Sequence, residues 1–130
     1  MIKQAASIAL VGLGLTFSAA AQTPTTKRTE LAKGDLTGTN MEIIVSLVEY
    51  PPGAVSALHT HPGEEAFYVL EGATLETPDG KTLTPTTGVS RINVRDVPHG
   101  AFTVTGDKTF KLLAVHIVDK GKTAFVPVKP

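Results

Sequence analysis

Apolar positions along this chain come in short runs closed by turn residues, and no segment keeps a sustained helical period. MEIIVSLVEY, from Met41 to Tyr50, is rich in β-branched and apolar residues and stops at Pro51-Pro52-Gly53. AVSALHT follows, then the glycine-containing bend PGEE, then AFYVLEG, ATLET, the turn Pro78-Asp79-Gly80 and KTLT. VSRINV, GAFTVT, the long run TFKLLAVHIV and a final TAFVPV complete the series. Turn signals every eight to twelve residues predict an all-β domain with little helix, folded as an antiparallel sandwich or barrel. The polar leader TPTTKRTE is expected to be loose.

The first 21 residues have a different layout. Lys3 gives a short basic start, an apolar run extends from about Ala5 to Phe17, and Ala19-Ala20-Ala21 closes it before Gln22. That order predicts a secretory signal peptide cleaved after Ala21, and hence a periplasmic or secreted bacterial protein. A membrane anchor is the alternative, but Gly12 and Gly14 interrupt the run, which falls short of the ~20 apolar residues a span needs. The expected organisation is therefore a signal peptide (1–21), a leader with the first strand (22–40) and one barrel domain (41–128).

The chain has 130 residues, so a single domain is the upper bound. Export permits disulfides, yet cysteine is absent, and stability has to come from a core, a metal or subunit contacts. Twelve basic residues balance twelve acidic ones with no basic block, which disfavours nucleic acid and anionic membrane as partners.

Chemistry concentrates in HTHPGEEAFYVLEG, from His59 to Gly72. His59 and His61 are two apart, so on a strand they share a face at roughly 6.5–7 Å along the chain. Two imidazoles on one face can converge on one ion about 2 Å from each ring nitrogen, and a carboxylate arrives just past the Pro62-Gly63 bend. Nitrogen donors with one anionic oxygen suit a divalent transition metal rather than magnesium or calcium. Strand phase alone does not choose between Glu64 and Glu65, because the residues in phase with each are apolar.

The spacing resembles the first conserved motif of the cupin superfamily, G-x5-H-x-H-x3-4-E-x6-G. Gly53, His59, His61, Glu65 and Gly72 fill its fixed positions without a gap. The second motif, G-x5-P-x-G-x2-H-x3-N, is met in part: Gly88 and His99 match, while Val94, Asp96 and Thr103 stand where proline, glycine and asparagine are expected. The departures fall on the turn before His99 and leave that histidine in place. The resemblance implies an antiparallel double-stranded jelly-roll barrel. It also implies His59, His61, Glu65 and His99 as ligands of one divalent ion (Fe, Mn, Ni or Zn), with Glu64 as a solvated rim charge. A homodimer paired through the segment around Leu31 to Val48 is a further implication.

Other residues are read more plainly. His116 is in phase with Phe110, Leu112 and Ala114 and is expected as a core histidine, the alternative being a place in the pocket wall near the metal. Tyr68 is expected to pack, Arg91 and Arg95 to face outward rather than clamp a substrate carboxylate, and Asp96 to make the turn before Pro98. Three function classes stay open. The resemblance to quercetin-type dioxygenases favours a metal-dependent dioxygenase, with decarboxylase or isomerase chemistry behind it. A non-catalytic small-ligand or metal-binding module is the alternative, and a barrel without metal is the third, which the intact ligand set disfavours.

Overall fold

The structure is a computed structural model and describes residues 22–129. The expected signal peptide lies outside the described residues. Within them the chain forms eleven strands and no helix. They are β1 (Lys27–Leu36), β2 (Met41–Tyr50), β3 (Val55–Ser56), β4 (His59–Thr60), β5 (Gly63–Glu71), β6 (Thr74–Glu76), β7 (Thr82–Leu83), β8 (Ser90–Asn93), β9 (Phe102–Thr105), β10 (Phe110–Asp119) and β11 (Val126–Pro127). All pairings are antiparallel, as the run lengths and turn spacing predict.

Two sheets face each other. One has the order β1-β2-β10-β5-β8, the other β3-β9-β6-β7, and β11 pairs with β4 in a separate ribbon. The long central strands show why the sequence chooses this arrangement. Along β10 burial alternates strictly, with Phe110, Leu112, Ala114, His116 and Val118 turned inward. Val48 and Tyr50 of β2 and Val69 of β5 join them from the same sheet, and Leu75 and Val104 close the core from the other. Tyr50, Phe102 and Phe110 form an aromatic cluster across the gap, with ring centroids 5.2 to 6.1 Å apart. The result is the jelly roll that the resemblance implies.

Four elements differ from their expectation. The leader is not loose throughout, because its KRTE portion opens β1, which pairs along the whole of β2 with one irregularity between Glu30 and Ala32. Nearly all of β1 is exposed, so it carries no burial pattern for sequence reading to find; backbone pairing and contacts such as Lys33–Glu42 at 3.1 Å hold it. AVSALHT splits into β3 and β4, and TAFVPV keeps only a two-residue ribbon. Finally, β5 begins at Gly63 rather than after the bend. Gly63 lies against Val118 of β10, where an added Cβ would stand 1.9 Å from the Ile117 carbonyl oxygen. Only a residue without a side chain lets the strand start there, three residues before Ala66.

Gly63→Ala should therefore cost on the order of 3 kcal/mol or prevent folding, since backbone has to move to admit the methyl group. Gly34→Ala on β1, where a Cβ meets nothing within 4 Å, should stay within about 0.5 kcal/mol of wild type. Urea unfolding of the two variants side by side checks the contrast.

Candidate metal centre

His59 and His99 are brought together by backbone. Each donates its N–H to the other's carbonyl, at 3.0 and 2.9 Å, which makes them a hydrogen-bonded antiparallel pair with side chains on one face. Their rings lie 4.4 Å apart, and His61 stands 4.9 Å from His59 and 4.7 Å from His99. Glu65 enters from β5, and its cross-strand partner on β10 is His116. Glu65 Oε2 is 3.3 Å from His61 Nε2 and 3.5 Å from His99 Nε2, while Oε1 is 3.3 Å from His116 Nε2. The structure thus gathers all four residues expected from the motifs, and adds His116, which is 2 % exposed.

The ring orientations carry the chemistry. His59 Nδ1 donates to the Ala57 carbonyl at 2.7 Å and His99 Nδ1 to the Val97 carbonyl at 2.9 Å. His61 Nδ1 donates to the Ala124 carbonyl. A carbonyl only accepts, so each Nδ1 carries the proton and each neutral ring presents a bare lone pair at Nε2. Nε2 of His61 and of His99 are buried with no hydrogen-bond partner. Lone pairs of nitrogen and of a carboxylate therefore face one another at a buried point, an arrangement that a cation relieves. Backbone-anchored imidazoles are how proteins orient metal ligands. The donor set fits a divalent transition metal: His59, His61 and His99 have nitrogens within 4.8 Å of one another, as do the donor atoms of His61, Glu65 and His116.

The electrostatics agree. Burial lowers the His59 pKa, with the Ala57 hydrogen bond and the Glu65 charge opposing it, so the ring is held neutral. Burial also pushes His116 down to about 4, against the pull of the Glu65 charge. For Glu65 burial alone would raise the pKa. His61, the charge of His116 and a hydrogen bond from Asn93 Nδ2 outweigh it and hold the carboxyl at about 2. The His61 contribution needs positive charge at Nε2, which a metal ion supplies as well as a proton does.

Several neighbours were not legible in the motifs. Asn93 pairs with Glu65 across β5 and β8 and holds its Oε2 at 2.7 Å. The ribbon of β11 lays the Phe125 ring on His59, with centroids 4.2 Å apart, and brings the Ala124 carbonyl to His61. The turn before His99 survives its departures from the motif. Asp96, in the glycine position, has φ +59°, a left-handed conformation that aspartate tolerates better than most residues. Its N–H also bonds the His61 carbonyl at 3.1 Å, tying the two motifs together. Gly100 at φ +89° leaves room for His59, whose Nδ1 would lie 2.9 Å from an added Cβ.

A cavity of about 570 Å³ opens beside the cluster, lined by His59, Glu65 and His99 at one side and by aromatic and aliphatic side chains elsewhere. Arg91 lines it, which corrects the expectation of an outward charge: its register partner is the inward-facing Phe67. Arg95 does point away and forms a two-bond pair with Asp119 at 2.9 and 3.1 Å. Tyr68 is 44 % exposed on the outer face, and the phenol in the cavity is Tyr50. Glu64 lies half-buried on the outer face opposite Ile117, away from the cluster.

The family model described as "Cupin domain" matches residues 46–116. Among solved structures, a cupin domain from Bordetella pertussis Tohama I is 23% identical with a TM-score of 0.54, covering 75% of this chain and 98% of that one. The polyketide cyclase RemF from Streptomyces resistomycificus is 27% identical with a TM-score of 0.58, covering 81% and 72%. The DMSP lyase DddQ from Ruegeria pomeroyi is 23% identical with a TM-score of 0.59, covering 81% of this chain and about half of that one, 52%. No curated protein matches the sequence.

The shifted groups make the metal-free protein acid-labile. His116 takes up its proton near pH 4 when folded and near 6.5 when unfolded, so stability falls as pH drops through that window. Glu65, held below its ordinary 4.5 by the charge that His116 gains and by the Asn93 hydrogen bond, adds a further loss as pH falls below 4.5. The urea midpoint of metal-free protein should drop between pH 7 and 4.5, and His116→Gln should flatten that change; an unchanged midpoint in wild type would contradict the buried neutral histidine.

Proposed function

The chain belongs to the cupin family, and on that premise we propose that His59, His61, Glu65 and His99 hold one divalent transition metal used on a small-molecule substrate, in a reaction of dioxygenase type. The observation that carries this reading is the pair of buried, unpartnered Nε2 atoms on His61 and His99, aimed at the same point as Glu65 Oε2. Three imidazoles and one carboxylate suit iron, manganese, nickel or zinc. Such an ion supplies Lewis acidity and, if redox-active, an electron for dioxygen chemistry. The protein's own part is orientation. The Ala57, Ala124 and Val97 carbonyls fix the rings, His116 and Asn93 fix the two carboxylate oxygens, and the cavity walls exclude water from the ligand. The likeness to RemF, a polyketide cyclase, supports catalysis on this scaffold.

A second reading has its own observation. Four protein donors suffice to close a tetrahedral ion, and Ala124 and Phe125, just before β11, cover the His59 and His61 side, as in a non-catalytic binding module. Azide distinguishes them, since a shift in the cobalt-substituted spectrum requires an open position.

Pairing and export complete the proposal. Side chains on the outer face of the β2-β10-β5-β8 sheet form apolar cross-strand rows, Val45-Val115-Ala66-Ile92 and Leu47-Leu113-Tyr68, with Ile92 69 % exposed. A face apolar on both sides of the sheet supports a homodimer that covers it. The signal-like first 21 residues support a periplasmic or secreted location.

Elemental mass spectrometry on tag-free protein purified without chelators should find about one transition metal ion per chain, and none in His59→Ala or His99→Ala. Wild-type protein that stays metal-free after reloading would refute the reading. Sedimentation should give a dimer at micromolar concentration; a monomer there would refute the pairing.

A further inference from the structure

We infer that the cavity beside the metal centre selects an organic carboxylate with an apolar or aromatic body, and that Arg28 and Arg91 are the residues that select it. The inference rests on the reading of this cavity as the substrate site.

Strand register places both guanidinium groups on the inner face. Arg28 on β1 continues the row Val48-Leu112-Val69, and Val48 and Val69 belong to the core. Arg91 on β8 continues the row Phe67-Ala114-Ser46. Paired residues on antiparallel strands point to the same side, so the two arginines reach one cavity from the two edges of the sheet. Both line it, together with Tyr50 and Ser56.

Neither guanidinium is used by the protein. Among the described residues, neither Arg28 nor Arg91 forms an ion pair or a side-chain hydrogen bond, whereas Arg95 on the outside is paired twice. Glu65 is the sole carboxylate lining the cavity, and its oxygens face His61, His99, His116 and Asn93. Guanidinium stays charged at any physiological pH. The cavity lining therefore carries two guanidinium charges, both at its solvent-exposed edge, against the single carboxylate of Glu65, a net positive charge before any metal enters, and a metal adds more. An anion is the ligand that this field favours.

The walls narrow the class. Phe67, Val89, Phe102, Phe110, Leu112 and Leu75 make most of the surface apolar, and a volume of about 570 Å³ lies within the range of small-molecule sites. No lysine lines the cavity to share a doubly charged group. A singly charged carboxylate matches a guanidinium fork, and its carbon skeleton matches these walls at a lower desolvation cost than a phosphate dianion. Arg28 also lies in the opening part of the exposed edge strand β1, within the stretch TPTTKRTE that was expected to be loose. Substrate choice would then depend on β1 being paired.

The test is an NMR shift titration of the full mature protein, metal-free and zinc-loaded, with hexanoate, benzoate and cinnamate, their primary amides, and phenyl phosphate. Wild type should bind at least one acid about tenfold more tightly than its amide, the difference a charge-assisted hydrogen bond makes. Arg28→Gln and Arg91→Gln should each cut that preference, and the double variant should abolish it, while Lys81→Gln, on a remote turn paired with Asp79, should leave it unchanged. Equal binding of acids and amides, no binding by any acid, tighter binding of phenyl phosphate, or a preference that survives the double variant would overturn the inference. A preference intact in a protein that binds no metal would sink the metalloenzyme reading and leave this one standing. Zinc binding without any preference would do the reverse.

Discussion

Everything about this site follows from where three imidazole protons are placed. The Ala57, Ala124 and Val97 carbonyls each accept an Nδ1 proton, so His59, His61 and His99 turn unprotonated nitrogens inward, toward a carboxylate that is itself an acceptor. Without a positive charge, that cluster leaves buried acceptors facing acceptors. Protonating Nε2 would relieve it, but burial disfavours a charged ring, visibly so at His59. A divalent ion satisfies all the lone pairs at once, and the surrounding backbone is organised to keep them aimed.

That organisation reaches deep into the fold. The reciprocal bonds between His59 and His99 join the segment after the first turn to the segment before β9, and the Asp96 N–H bond to the His61 carbonyl repeats the link. Gly100 lets His59 lie against the backbone, and Gly63 lets β5 start early enough for Glu65 to meet His116. Backbone contacts of this kind are short-range and unforgiving, which is why small residues recur around the cluster while the rest of the core is ordinary aliphatic and aromatic packing.

Much of this was legible in the residues. MEIIVSLVEY became β2 with the same ends, because β-branched content and a proline-glycine stop act locally. The histidine and glutamate spacing located four members of the cluster. What was missed depends on pairing between distant strands. His116, placed near the metal only as the second choice, and Asn93, which was not singled out, join the site through their register with Glu65. Arg91 faces inward because Phe67 does, although VSRINVRD alone reads as exposed charge. A first strand was expected within residues 22–40, but β1 buries almost nothing, so no hydrophobic period marked where it begins. Asp96, expected to make the turn before Pro98, does so from the motif's glycine position, since aspartate can enter the left-handed region.

The central claim is the convergence of three bare Nε2 atoms, and the most direct measurement is long-range ¹⁵N–¹H correlation NMR of the histidine rings at neutral pH, before and after one equivalent of zinc. The account predicts Nδ1–H tautomers for His59, His61 and His99 in the metal-free protein and a shift of all three Nε2 resonances on zinc addition. Nε2–H tautomers at these positions, or rings that ignore zinc, would contradict it.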